Sequence, residues 1–251
     1  MIEIRNLHKS FGENKVLKGL ALDIMDKEIL TLLGGSGEGK SVFLKNVVGL
    51  MKPDKGSIKV DGVEIVGLNQ KKLSKIQTKF GMLFQGGALF DSLTVGENVA
   101  FGMKRLKNYS EEQIERKVIQ YLEMVNLKGV ESEMPERLSI GMKRRVALAR
   151  AIATEPEYIL YDEPTTGLDP ITKDVICDLF IEMRRKLDLT SVIVTHDLDT
   201  AYKVSDRIGF LYDGRIIEID ETEKFINSDN PYVMQFIKGL RKGPITSKNG
   251  E

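Results

Sequence analysis

Gly34-Gly35-Ser36-Gly37-Glu38-Gly39-Lys40-Ser41 is the stretch from which the rest of the chain is read. It has the spacing G-x-x-x-x-G-K-[ST] of a phosphate-cradling loop. Its surroundings fit that reading. Upstream, Ile29-Leu30-Thr31-Leu32-Leu33 reads as a short buried strand. Downstream, Val42 to Leu50 reads as a helix, with Leu44, Val47 and Val48 at helical spacing. The glycines let the backbone bend around a chain of phosphates and aim its N–H groups inward. The helix start adds the positive end of a dipole worth about half an elementary charge. On this reading Lys40 reaches the β- and γ-phosphates, and the Ser41 hydroxyl ligates Mg²⁺. A Gly-rich turn that merely joins strand to helix is the bland alternative. The order strand, loop, Lys-Ser, helix argues against it.

The whole chain sets bounds on that reading. Its 251 residues can bury a full core, as one domain or two. The 37 basic and 37 acidic residues cancel, which gives no case for an electrostatically driven nucleic-acid partner. No apolar run approaches the ~18–20 residues that span a bilayer. Met1-Ile2-Glu3-Ile4-Arg5 has no apolar signal region. One cysteine, Cys177, excludes an internal disulfide and fits a reducing cytosol. It falls in a helical stretch and reads as structural.

Outward from the loop, strands and helices alternate. Ile2 to Ile4 and Val16 to Ile24 read as strands around a turn at Gly12-Glu13-Asn14. Phe11 precedes that turn, where an aromatic side chain can stack on an adenine ring, although from this segment alone a buried packing role is the stronger reading. After the turn Lys52 to Gly56, Ser57 to Val60 alternates as a strand, closed by the hairpin signal Asp61-Gly62. Phe80 to Phe84 is another apolar strand, ending at Gln85. Residues 86 to 155 then read as a helical insert. Ser110 with Gln113 is a capping box for one helix, with Gly129 just past its end. A second helix starts near Ser139 and runs through Ile152. Tyr158 to Tyr161 returns to strand and ends in Asp162-Glu163. Asp169-Pro170 opens another helix. Ser191 to Thr195 is a strand with His196 at its end. Arg207 to Leu211 and Arg215 to Ile219 close the core. The alternation predicts a mostly parallel α/β sheet, whose ligands lie beyond the carboxyl ends of the strands.

Gln85, Asp162, Glu163 and His196 all sit at such ends. Asp162 suits a second support for Mg²⁺, usually through water. Glu163 can take the proton of an attacking water. His196 can hydrogen-bond a γ-phosphate, although a lone histidine at a strand end is more often structural. Gln85 can touch the metal or the attacking water, or simply cap its strand.

Leu138-Ser139-Ile140-Gly141-Met142 resembles the signature of ATP-binding cassette ATPases, usually Leu-Ser-Gly-Gly-Gln. Gln85, this segment, Asp162-Glu163-Pro164, Gly167-Leu168-Asp169 and His196 follow in that family's order. The resemblance covers nearly the whole chain. It implies a P-loop NTPase core of the RecA-like kind, with an antiparallel β portion and an inserted helical subdomain. It implies ATP and Mg²⁺ as ligands and two copies facing head to tail. Each Gly34–Val42 loop would then be completed by Ser139 and the backbone N–H groups near Gly141 of the other copy. Phe11 takes the adenine-stacking position, which reverses the reading from its own segment. A narrower likeness is carried by Gln85 to Val95, by Val42 where most of the family has Thr, by Met142 in place of Gln, and by Phe236 to Leu240 with Gly243-Pro244. These resemble the ATPases of MCE-linked, Mla-type lipid transporters. Ile140 departs from the pattern, since the family has Gly there. A β-branched side chain restricts the backbone and adds bulk beside the partner's γ-phosphate.

The expectation is one nucleotide-binding domain, with core 1–85 and 156–235, helical subdomain 86–155 and tail 236–251. It would hydrolyse ATP at the cytoplasmic face of the inner membrane and drive lipid transport through a separate permease. An MCE-domain protein and a small STAS-domain protein are implied by the resemblance alone. A cassette powering an importer of small polar solutes, and a P-loop phosphotransferase with no transporter, are the rivals. The signature segment speaks against the latter.

Overall fold

A computed structural model describes residues 1–247. In chain order the elements are β1 (Ile2–Phe11), β2 (Asn14–Ile24), β3 (Ile29–Leu33), α1 (Lys40–Val47), β4 (Lys55–Val60), β5 (Val63–Glu64), α2 (Gln70–Gln77), β6 (Phe80–Leu83), α3 (Val95–Leu106), α4 (Glu111–Met124), α5 (Ile140–Ile152), β7 (Tyr158–Asp162), α6 (Pro170–Leu187), β8 (Thr190–Thr195), α7 (Leu198–Val204), β9 (Arg207–Tyr212), β10 (Arg215–Glu221), α8 (Thr222–Ile226), α9 (Pro231–Lys238) and α10 (Pro244–Ser247). The chain divides into two units, residues 1–67 with 194–251, and residues 68–193.

In the first unit β2, β1, β4 and β5 form an antiparallel sheet. Its inward stripe is Ile2, Ile4, Leu7, Leu17, Leu20, Leu22 and Ile24, all buried. Asp61 and Gly62 both have positive φ, as the two-residue hairpin between β4 and β5 requires. β3 lies parallel to β9, which pairs antiparallel with β10. β3 is buried throughout and delivers the chain into the Gly34–Gly39 loop. α9 and α10 fold back on the same unit. The buried Gln235 amide donates to the Leu240 carbonyl at 3.1 Å and accepts from the Ile245 N–H at 2.8 Å. Phe236 packs on Phe210 with ring centroids 5.0 Å apart.

In the second unit β8, β7 and β6 are neighbours, with β6 and β7 parallel. Between residues 86 and 155 the described secondary structure is helical. Thr94, Ser110 and Ser139 cap α3, α4 and α5 with side-chain oxygens, and Asp169 caps α6. Cys177 is buried within α6.

Several elements differ from the sequence reading. β1 runs on to Phe11 through polar residues, because pairing with β2 and β4 satisfies its backbone while register shifts let those side chains face out. α1 starts at Lys40 and ends at Val47, earlier than Val42 to Leu50 at both ends. α4 ends at Met124, and the left-handed residue just past its end is Asn126, with Gly129, also left-handed, three residues further on. α2 has no buried residue and so no apolar stripe to announce it. α9 crosses the expected boundary at 235–236. Of the tail expected over 236–251, residues 248–251 lie outside the described residues.

Candidate functional site

The phosphate loop belongs to the first unit. Gly34 follows β3 in close approach to β9: a Cβ there would stand 2.5 Å from the Leu211 carbonyl oxygen. Gly39 caps α1 with φ 97°, and a Cβ on it would press 2.8 Å from Val16 Cγ1. Both positions therefore exclude side chains. Among the described residues no side chain caps the α1 N-terminus. Its first-turn N–H groups lack intrahelical acceptors by construction, the usual setting for a bound anion. Lys40 is buried, and its Nζ donates to the Gly34 and Gly35 carbonyls, each at 2.8 Å. The ammonium is thus folded over the loop it serves. Ser36 and Gly37 are exposed, and Ser41 and Val42 half-buried at the helix start. Glu38 accepts the Asp213 N–H at 2.6 Å, and burial pushes its carboxyl up from the ordinary range. Glu38 thereby fastens the loop to the β9–β10 turn.

Phe11 is 49% exposed, which removes the packing alternative. The strand end that presents it is pinned by Asp54, which accepts the Ser10 N–H at 2.6 Å and Lys9 Nζ at 3.0 Å. Lys9 lies 5.7 Å from the Phe11 ring centroid. His196 is exposed, one residue beyond β8. The next residue, Asp197, donates its N–H to Thr195 Oγ1 at 3.1 Å and caps α7.

The second unit holds the other group. Asp162 ends the wholly buried β7. Glu163 follows with φ 47°, a left-handed backbone that costs a non-glycine residue energy and tends to persist at active sites. Both carboxylates are buried. The Thr166 hydroxyl donates to Glu163 Oε2 at 3.0 Å. Gln85 is exposed at the start of a turn in which Gly86, Gly87 and Ala88 all have positive φ. Ser139 accepts the Met142 N–H at 3.2 Å and stays exposed, while Ile140 is 60% exposed beside it and Gly141 follows.

Residues that the sequence reading passed over hold this second group in place. Arg150 on α5 donates to the Gly87 and Ala88 carbonyls, each at 2.7 Å. Asn98 on α3, fully buried, accepts the Phe90 N–H at 2.8 Å and donates to the Phe90, Leu93 and Thr94 carbonyls. Arg144 on α5 donates to the Phe84 and Thr166 carbonyls at 3.4 and 3.2 Å. The one signal available for Arg144 was a charge placed among the apolar positions of a buried helix. Among the described residues no group of three or more His, Cys, Asp or Glu side chains is placed to hold a metal ion. None of the described helices is long and apolar enough to cross a membrane.

Residues 17–166 match the family model described as ABC transporter. The chain is 41% identical over 244 residues to the probable ribonucleotide transport ATP-binding protein mkl of Mycobacterium leprae, covering 97% of this chain and 70% of that one. It is 38% identical over 248 residues to the intermembrane phospholipid transport system ATP-binding protein MlaF of Haemophilus influenzae, covering 99% of this chain and 94% of that one. Its fold matches the dimeric, post-hydrolysis structure of the ATP-binding cassette MJ0796 bound to ADP and Pi. The TM-score is 0.81 at 33% identity, over 88% of this chain and 99% of that one. With that family model matched over more than half of the chain, and relatives of this identity over nearly all of it, the chain belongs to the ABC transporter family as an ATP-hydrolysing cassette.

Proposed function

We propose that this ATPase powers phospholipid movement through a separate membrane permease. The observation that carries this is the end-to-end likeness to MlaF, 99% of this chain against 94% of that protein. ATP binds through the Gly34–Val42 loop, with Lys40 on the β- and γ-phosphates and Phe11 stacked on the adenine. The Ser41 hydroxyl, Gln85 and Asp162 offer hard oxygen donors. Such a set suits Mg²⁺, which takes one or two carboxylates, keeps its waters and needs no protein carboxylate cluster. When bound, the ion neutralises charge on the β- and γ-phosphates. Glu163 accepts the proton of the attacking water, and His196 donates to the γ-phosphate. The exposed Ser139 and the half-buried Gly141 complete the site of a second copy placed head to tail, and ATP clamps the pair shut.

The permease docks beside the Gln85 turn. A groove of about 460 Å³ lies there, lined by Phe84, Ala88, Phe90, Phe101, Gly102 and Arg150. Phe90 and Phe101 are both exposed, with ring centroids 4.6 Å apart. The cassette sits on the cytoplasmic side of the inner membrane, held there by the permease. MCE-domain and STAS-domain proteins complete the assembly. Mild-detergent purification of the full chain from its own membranes, with mass spectrometry of proteins and lipids, tests this. A permease with bound phospholipid is the expected catch. The likeness to mkl supports the second reading, an importer of small polar solutes. A permease that travels with a soluble solute-binding protein and no lipid would favour it.

A further inference from the structure

Arg144 is 4% exposed, on a helix whose other buried residues are Val146, Ala147, Leu148, Ala149, Ala151 and Ile152. A guanidinium carries five N–H donors and no acceptor. Burial pulls its pKa below the usual range, and among the described residues no acidic side chain opposes that pull. Its Nε has no hydrogen-bond partner among them either. A buried charge without a counter-ion is costly, and an apolar residue of similar volume is often as stable or more so. Packing therefore does not account for an arginine here.

The two carbonyls it binds belong to significant places. Phe84, at 3.4 Å, directly precedes Gln85. Thr166, at 3.2 Å, is the residue whose hydroxyl donates to the Glu163 carboxylate. The helix that carries Arg144 begins at Ile140 in the signature segment, capped by Ser139. We propose that Arg144 is a positioning residue for ATP hydrolysis: its fork binds the Phe84 and Thr166 carbonyls together and so fixes Gln85, Glu163 and the head of α5 with respect to one another. This rests on the reading of Glu163 as the base. A planar fork spans two carbonyls in one geometry, whereas a lysine ammonium is a flexible point donor. A shift of a reacting group by about 1 Å costs roughly 10²-fold in rate. The contacts that Lys40, Phe11 and the backbone of the Gly34–Ser41 loop make with ATP in one copy use neither Glu163 nor the head of that copy's own α5.

The test is steady-state ATPase activity, ATP affinity by calorimetry and melting temperature for the full chain and for Arg144→Met, Arg144→Lys and Glu163→Gln. Arg144→Met should lower kcat roughly 10- to 100-fold while KM and ATP affinity stay within about twofold. Its melting temperature should not fall in step, because methionine removes a buried charge. Arg144→Lys should recover part of kcat. A kcat within about twofold of wild type for Arg144→Met, or an equal loss of kcat and ATP affinity, overturns the proposal. If Arg144→Met does not fold, Arg144→Lys takes its place: a lowered kcat at unchanged ATP affinity supports the proposal, and a kcat within about twofold of wild type, or an equal loss of both, overturns it. Glu163→Gln separates the layers. Wild-type turnover in that variant breaks the reading of Glu163 itself. An inactive Glu163→Gln beside an unimpaired Arg144→Met breaks the Arg144 inference alone.

Discussion

The Gly34–Ser41 loop and the cluster around α5 hold their charged groups in opposite ways. In the loop, Lys40 is secured by carbonyls five and six residues away. In the cluster, Arg144 reaches carbonyls 60 and 22 residues away. The first is a local device that a short segment builds for itself. The second exists only when distant segments pack. The difference teaches which function can be placed in which part. Phosphate binding needs little more than backbone N–H groups, a dipole and one cation. Positioning a water for attack needs a base held to within a fraction of an ångström, and therefore a supporting shell.

That contrast breaks most sharply at Glu163. Glu163→Gln keeps the shape and removes the carboxylate, so hydrolysis should fall ~10²–10⁴-fold while ATP still binds. Single-turnover hydrolysis on pre-bound ATP measures it directly, and dimers should accumulate with ATP. Lys40→Ala should do the reverse. Loss of a charged hydrogen bond costs ~1.5–3 kcal/mol, roughly 10- to 150-fold in affinity. Calorimetric titration with ATP is the check, and unchanged affinity would remove Lys40 from the site.

A smaller effect is expected at Ile140, which stands first in α5 and is largely exposed. Its side chain is available to crowd a second copy. Ile140→Gly should raise hydrolysis in the permease complex roughly two- to tenfold, the equivalent of ~0.4–1.4 kcal/mol of relieved barrier. The helix loses at most ~1 kcal/mol, and less at its first position. A lower rate with intact circular dichroism would mean that Ile140 makes a contact the closed pair needs. The smallest effect concerns Glu155, which ties the α3–α4 connection and α4 to the end of α5. It accepts from Lys117 at 2.7 Å and from the Tyr121 hydroxyl at 3.1 Å. The Lys117 bond, above all, draws its pKa from 4.5 down to about 2. A depressed carboxylate stabilises the fold above its ordinary pKa, and that share fades as pH falls from about 4.5 towards 2. Because Glu155 is partly exposed, solvent screens the pair, and Glu155→Gln should cost only ~1–3 °C of melting temperature at pH 7. The gap between variant and wild type should narrow in melts run at pH 4 and below, whereas a gap constant with pH would point to shape rather than charge.

The same contrast explains what the sequence disclosed. β3, the glycine loop and α1 are contiguous, so a few residues announced both element and role. Ser110, Ser139 and Asp169 announced helix starts because a cap is made within three residues. Asp61-Gly62 announced its hairpin through the backbone it demands. α2 stayed hidden because it buries nothing, and most of β1 because its polar residues pair through the backbone rather than through an apolar stripe. Arg150 and Asn98 were illegible for a different reason. Arg150 binds carbonyls of the turn after Gln85, Asn98 binds backbone groups of Phe90, Leu93 and Thr94, and a backbone group carries no residue name. Roles that a motif names, such as those proposed for Glu163 and Gln85, rest on order along the chain. The residues that hold them steady could not.

The most direct measurement of the central claim is transport itself. The cassette and the permease that co-purifies with it would be placed in phospholipid vesicles carrying a labelled phospholipid, and ATP added on the cassette side. Lipid should leave or enter the bilayer only with ATP, and Glu163→Gln should stop it. ATP hydrolysis that moves a water-soluble solute across the same vesicles, with the lipid unmoved, would contradict the assignment.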